Sequence, residues 1–345
     1  MLSELMLNKN LPSLMSRKEM LDILAAEEYG VMPPAPDELS FSVQEDIIPN
    51  FCGGKAICSR ITANCEIYGK RFSFPFYSTT HTDGKKHPFF VHINFRSDIP
   101  DKHQPTEELI DNGFNILSFC HNDVTRDNDD FTDGLAGVLY ENGERLPHSA
   151  GKIAMWAWAA QRVMDYAEMH AEMFDLDCAV VCGHSRLGKT ALLCGAVDER
   201  FNFVYSNDSG CSGAAITRGK RGETVADICD SFSYWFCESY RKYIRAEEKM
   251  PFDQHFLVAS ISPRKVMIGS AHEDIWADPL CEQLCCFAAS PAFKNGFVCP
   301  DRVADVGEVF LDGDIGYHLR HGKHFFSRED WNRLILFIKH HYRIR

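Results

Sequence analysis

The sequence predicts an α/β fold: a mostly parallel central sheet with helices on both faces and an antiparallel leading edge. Three observations carry this. Short apolar runs at 89–95 (FFVHINF), 114–120 (FNILSFC), 178–182 (CAVVC), 201–206 and 264–269 (RKVMIG) read as buried strands. Longer helical patterns at 106–112, 152–170, 187–197, 279–289 and 327–342 alternate with them. Ahead of both, residues 55–77 alternate polar and apolar side chains around Gly69, as in a hairpin with one wet face.

Taken in order, the first helix is expected over 17–28, capped by Ser16 with Glu19 and stopped at Gly30. Pro33, Pro34 and Pro36 then force an extended crossing. The hairpin and the alternating strands follow. Residues 122–150 hold few apolar side chains and an acidic cluster, Asp127, Asp129, Asp130 and Asp133. The cluster lacks calcium-loop spacing, so the stretch reads as a solvated loop. No repeat or Ser/Gly-rich linker divides the 345 residues. At about 150 residues per domain the length allows one large or two small domains. The reading is one domain, 1–345, with a helical and extended N-terminal arm over about 1–54.

Composition excludes several classes. At 45% hydrophobic and 25% charged, the chain is neither disordered nor low in complexity. Lysine plus arginine number 36 against 49 acids, a net charge of −13, which opposes nucleic-acid and anionic-membrane partners. No run of about 18 apolar residues exists, so no transmembrane helix is expected. The N-terminus has no secretory pattern. Many of the 14 cysteines sit in apolar runs. These features point to a reducing cytoplasm. No CxxC pair occurs, and no metal site is expected.

The strongest chemical signal is Val180-Val181-Cys182-Gly183-His184-Ser185-Arg186-Leu187-Gly188-Lys189. A buried strand runs into Gly-x-Ser and then a helix, the context of a nucleophile elbow. Gly188 lies three residues after Ser185 rather than two, a departure from G-x-S-x-G. A helix N-cap is the plain alternative for Ser185. A serine nucleophile needs a base, and the base an orienting acid. Downstream, Glu273, Asp274 and Asp278 follow a late strand, and His318, His321 and His324 lie in an expected loop before the last helix. Spacing alone does not choose among them.

Gly183-His184-Ser185-Arg186-Leu187-Gly188-Lys189 resembles the G-x-S-R-x-G-K signature of glucuronoyl esterases, carbohydrate esterase family 15. Residues 207–215 (NDSGCSGAA), 251–255 (PFDQH), 274–279 (DIWADP) and Gly322-Lys323-His324 also resemble family segments, in the family's order. The resemblance runs from about residue 88 to the C-terminus. It implies an α/β-hydrolase fold and cleavage of esters on 4-O-methyl-glucuronic acid, or deacetylation of acetylated sugars, without a cofactor. It makes Ser185 the nucleophile, His324 the base and Arg186 an oxyanion-hole arginine. Lys189 becomes a contact to sugar hydroxyls and Trp276 a wall of the sugar site. The family places the acid either after the strand following the elbow, where Asp208 stands, or after the later strand, where Asp274 stands. Asp is one methylene shorter than the Glu many relatives carry first, so Asp274 is favoured. The expected partner is a uronic-acid-containing or acetylated oligosaccharide. Arg218, Lys220 and Arg221, with Glu223, read as a solvated loop, and Gln254 and His255 as structural. A non-catalytic carbohydrate-binding descendant is the alternative class.

Overall fold

The hairpin expected around Gly69 forms because Tyr68 and Gly69 both take positive φ (53° and 70°), the turn whose twist matches its strands. It joins β2 (Ala56–Ile67) to β3 (Lys70–His81) in the computed structural model, which describes residues 1–343. β1 (Glu38–Gln44) pairs antiparallel with β2, so the presumed arm contributes a strand to the sheet. Beyond β3 come β4 (His87–Asn94), β5 (Asn115–Cys120), β6 (Phe174–His184), β7 (Phe203–Asn207), β8 (Lys265–Ala271), β9 (Val309–Phe310) and β10 (Ile315–Arg320).

The ten strands form one sheet, ordered β1-β2-β3-β5-β4-β6-β7-β8-β10-β9. Pairing is antiparallel from β1 through β5, parallel from β5 through β10, and antiparallel again to β9. β4, β5, β7 and β10 are buried along their length, as expected of strands covered on both faces. One face packs the helices Lys152–Met169 and Arg186–Val197, with Trp156 and Trp158 fully buried. The other packs Thr106–Asp111 and Arg328–His341 through Leu109, Trp331 and Phe337.

Most expected elements form within a few residues of their sequence bounds. The helix Arg17–Glu27 carries the Ser16/Glu19 capping box, with Gly30 at φ 87° beyond it. Three expectations are corrected. His318 is not in a loop: it lies on β10, almost fully buried, because Ile315, Tyr317 and Leu319 alternate into one core. Residues 122–150 are not a simple solvated loop. They include the helix Gly134–Leu139, and Asp133 meets the fully buried Lys152. Arg218 is not solvated, since its guanidinium is buried on Asp253 and the carbonyls of Met250 and Phe252. Gln254 and His255 are buried, bonded to Glu28 and to the Pro12 carbonyl. All 14 cysteines are unpaired, and no described helix is long and apolar enough to cross a membrane.

Candidate active site

Ser185 sits between β6 and the helix Arg186–Val197 with φ 58° and ψ −127°. A non-glycine residue held there costs about 1–3 kcal/mol. Fully burying Leu187 and Leu192 returns about 1.5–3 kcal/mol each, so the fold tolerates the strain. Ser185 occupies the helix N-cap position, yet its side chain makes no capping bond. Its amide donates to the Asn207 carbonyl at 2.9 Å, tying the turn to β7. The displaced glycine spacing also has a reason. A Cβ on Gly183 would lie 2.2 Å from the Leu187 carbonyl oxygen, and one on Gly188 would lie 2.8 Å from Ser206 Oγ. Gly183 therefore admits the elbow, while Gly188 lets the helix close on β7.

The geometry separates the candidate acids and histidines. His324 Nδ1 donates to Asp274 Oδ2 at 2.6 Å. Burial resists ionisation of Asp274, yet the hydrogen bond and charge of His324 hold its carboxyl below the usual range. His324 is half exposed and shares one cavity of about 280 Å³ with Ser185 and Arg186. His318 instead bonds Tyr205 Oη at 2.9 Å inside the core, and His321 is on the surface. Glu273 accepts the Gly322 amide, and Asp278 caps the helix Pro279–Ala289. Neither is bonded to the His324 side chain.

Asp208 lies close by: one oxygen each of Asp208 and Asp274 and a nitrogen of His324 fall within 4.8 Å of one another. Its oxygens are already committed. Oδ1 accepts the Ala271 amide at 2.7 Å and Oδ2 accepts Arg320 at 3.2 Å. Burial, then the Glu282 and Asp330 carboxylates, push Asp208 well above the usual range. Arg320 pulls the other way, but it is shared with Asp330. Two neighbouring carboxyls thus have opposed proton affinities, and Asp274 is the ionised partner of the histidine.

Arg186 follows Ser185, where its own amide has no intrahelical acceptor. Its guanidinium lies over the Trp235 ring at 4.6 Å and pairs with Asp127. Asp127 also accepts Trp235 Nε1 at 2.7 Å and faces His121 Nε2 at 3.5 Å. Despite burial, these partners hold the Asp127 carboxyl down at about 2. Sequence reasoning noticed Asp127 in the acidic cluster but not its pairing with Arg186, because no local spacing links residue 127 to residue 186.

Lys189 is buried and donates to the Ser209 carbonyl at 2.6 Å, and burial lowers its affinity for a proton. Trp276 is 56% exposed and is no core residue. Two further residues near the base went unread. His184, whose ring centroid is 4.4 Å from that of His324, bonds Asn207 and is held neutral by burial, down to about 3. Arg320 places all five guanidinium hydrogens: on Asp330, on Asp208, and on the carbonyls of His321, Lys323 and Phe325. Those carbonyls flank His324 on both sides.

Comparison with known proteins supplies the family. The family model described as glucuronyl esterase, fungi, matches residues 64–295. A carbohydrate esterase, MZ0003, from an unknown prokaryote is 38% identical over 240 residues, covering 68% of this chain and 55% of its own. The 4-O-methyl-glucuronoyl methylesterase of Hypocrea jecorina is 28% identical over 285 residues, covering 80% of this chain and 56% of its own. The chain thus spans about half the length of the curated relatives it matches. Two solved structures superpose with TM-scores of 0.84 at 29% identity, each covering 94% of this chain and 91% of its own. One is a promiscuous esterase of carbohydrate esterase family 15 from a marine bacterial metagenome, the other a glucuronoyl esterase from Solibacter usitatus.

Proposed function

This chain belongs to the glucuronoyl esterase family, carbohydrate esterase family 15, and from that premise we propose that it is a serine carboxylesterase acting on 4-O-methyl-glucuronoyl esters. The observation that carries the reading is the strained Ser185 elbow sharing one cavity with His324, whose Nδ1 is bonded to Asp274.

Ser185 Oγ attacks the ester carbonyl while His324 Nε2 takes its proton. Asp274 holds the imidazole in the tautomer that leaves Nε2 free to accept, and stabilises the imidazolium that forms. Negative charge on the carbonyl oxygen is met by the Arg186 amide and guanidinium, fixed in place by Asp127 and Trp235. A cation fixed beforehand stabilises that oxyanion without rearranging during the reaction. His324 then gives its proton to the departing alcohol, and water, activated by the same histidine, releases the uronic acid. The sugar lies toward Lys189 and Trp276, on the β7 and β8 side. No step calls for a metal or organic cofactor.

The test is hydrolysis of methyl 4-O-methyl-glucuronate beside an acetylated xylo-oligosaccharide, with wild type and Ser185→Ala. Uronate-ester cleavage lost by at least about 10⁴-fold in Ser185→Ala supports the reading. Serine-dependent deacetylation alone keeps the mechanism and overturns the substrate. No cleavage and no labelling of Ser185 by an acyl probe would make the chain a binding protein.

A further inference from the structure

The cavity beside Ser185 is one-sided. β4 flanks β6 on one side and β7 on the other. The cavity extends over the end of β4, bounded by Phe95, Arg96, His103 and Phe325 in addition to the reacting residues. Neither Lys189 nor Trp276 lines it. The proposed mechanism, on which this inference rests, requires His324 to protonate the leaving oxygen. The alcohol half of the ester must therefore lie against His324. Phe325 is the next residue, and His103 stands edge-on to it at 5.2 Å. This cavity is the alcohol's.

Its walls select a type of alcohol. Phe95 and Phe325 offer aromatic surface, and Phe325 is 47% exposed. Arg96 is the cation on this wall. Its Nε and one terminal nitrogen donate to the two oxygens of Asp101, each at 3.0 Å. Asp101 is almost fully buried and is held in turn by Asn94 Nδ2 and the His103 amide. The side edge of the guanidinium is thus fixed. Its end edge, with Nη1, meets no acceptor among the described residues, and the side chain is 34% exposed. A planar fork immobilised on one edge and open on the other is pre-organised for a second planar anion. A volume of about 280 Å³ is at the small end for ligand cavities and fits a one-ring molecule.

We propose that this cavity receives leaving alcohols carrying both an aromatic ring and a carboxylate, the ring against Phe95 and Phe325 and the carboxylate on the open edge of Arg96. The net charge of −13 works against anionic substrates generally, so a preference for one must arise locally.

The experiment compares glucuronate esters of 4-carboxybenzyl alcohol and of its neutral, similarly shaped 4-carbamoyl counterpart. Wild type is expected to favour the carboxylate by about tenfold in kcat/KM. In Arg96→Gln, whose amide still donates to Asp101, the ratio should fall to near one. Equal rates in wild type, or a ratio that survives in Arg96→Gln, overturns the proposal. A measurement on wild type alone stands beside the variant. Free 4-(hydroxymethyl)benzoate should inhibit competitively about tenfold better than benzyl alcohol, and equal inhibition counts against the carboxylate site. The Ser185→Ala variant separates the two levels. Loss of cleavage without an ester preference sinks only this inference, whereas persistence of cleavage sinks the serine mechanism beneath it.

Discussion

Ser185 and His324, the nucleophile and base of the proposed mechanism, are held in place by different means. Ser185 stands on regular structure. β6 pairs on both sides, the following helix is buried along most of its length, and backbone hydrogen bonds tie the turn to β7. His324 stands on a surface loop that belongs to no helix or strand. That loop is held from beneath by the Arg320 guanidinium and laterally by Glu273, which pairs with the Gly322 backbone. Hydrogen-bonded backbone positions Ser185, while buried charge positions His324. The first arrangement is encoded locally in sequence. The second is assembled from side chains just beyond β7 and β8, on β10 and on the last helix.

The comparison is broken most sharply at the acids. Asp274→Asn should cost about 10⁴-fold in kcat, because an amide favours the wrong imidazole tautomer. Asp208→Asn should cost no more than about tenfold, since Asp208 bonds backbone and Arg320 rather than His324. Steady-state rates of the two variants decide it, and a reversed order would make Asp208 the orienting acid.

Next in size is Arg320→Lys. Charge is kept but the fork is lost, so the His324 loop loses its fixed register. A displacement of about 1 Å costs on the order of 10²-fold. The loss should fall on kcat with KM little changed, and an unaltered kcat would mean the loop holds its own shape. A smaller effect is expected on the elbow side. Asp127→Asn weakens the tether on Arg186 but leaves its stacking on Trp235. A loss of about tenfold in kcat, well below the 10²–10³ for deleting an oxyanion donor, is expected. Single-turnover acylation rates would show it.

The smallest effect is on stability. His184 and His318 are held neutral, both down to about 3 by burial. Unfolding lets them bind protons below about pH 6.5, so they withdraw stability as pH falls. Asp208 and Asp330, held above the usual range first by burial, act oppositely. That opposition ends near the ordinary carboxylate value of 3.8, where the unfolded chain is protonated too. Below it, each histidine should cost up to about 1.4 kcal/mol per pH unit. His318→Phe should flatten the acid limb of a denaturation series between pH 4 and 3, and an unchanged limb would place the loss elsewhere.

The strands and helices were legible because each buries a face whose period is written in consecutive residues, as in 89–95 and 178–182. Gly183, Ser185 and the helix after them are adjacent in sequence, so the elbow was readable as well. β10 was taken for a loop because Gly316, His318 and Arg320 interrupt its apolar residues. Those three positions carry close packing and buried hydrogen bonds, which hydropathy does not register.

What the sequence by itself determined is therefore the α/β architecture, the nucleophile turn and a short set of acids and histidines for the remaining roles. The resemblance narrowed the histidines to one. Only the tertiary structure paired Asp274 with His324, bound Asp208 to Arg320, and brought Asp127 to Arg186 across 59 positions. The physical reason is range. Periodicity and turn chemistry act over a few neighbouring residues. Hydrogen bonds between buried charges depend on which strand ends the sheet order places side by side, and no local pattern carries that information.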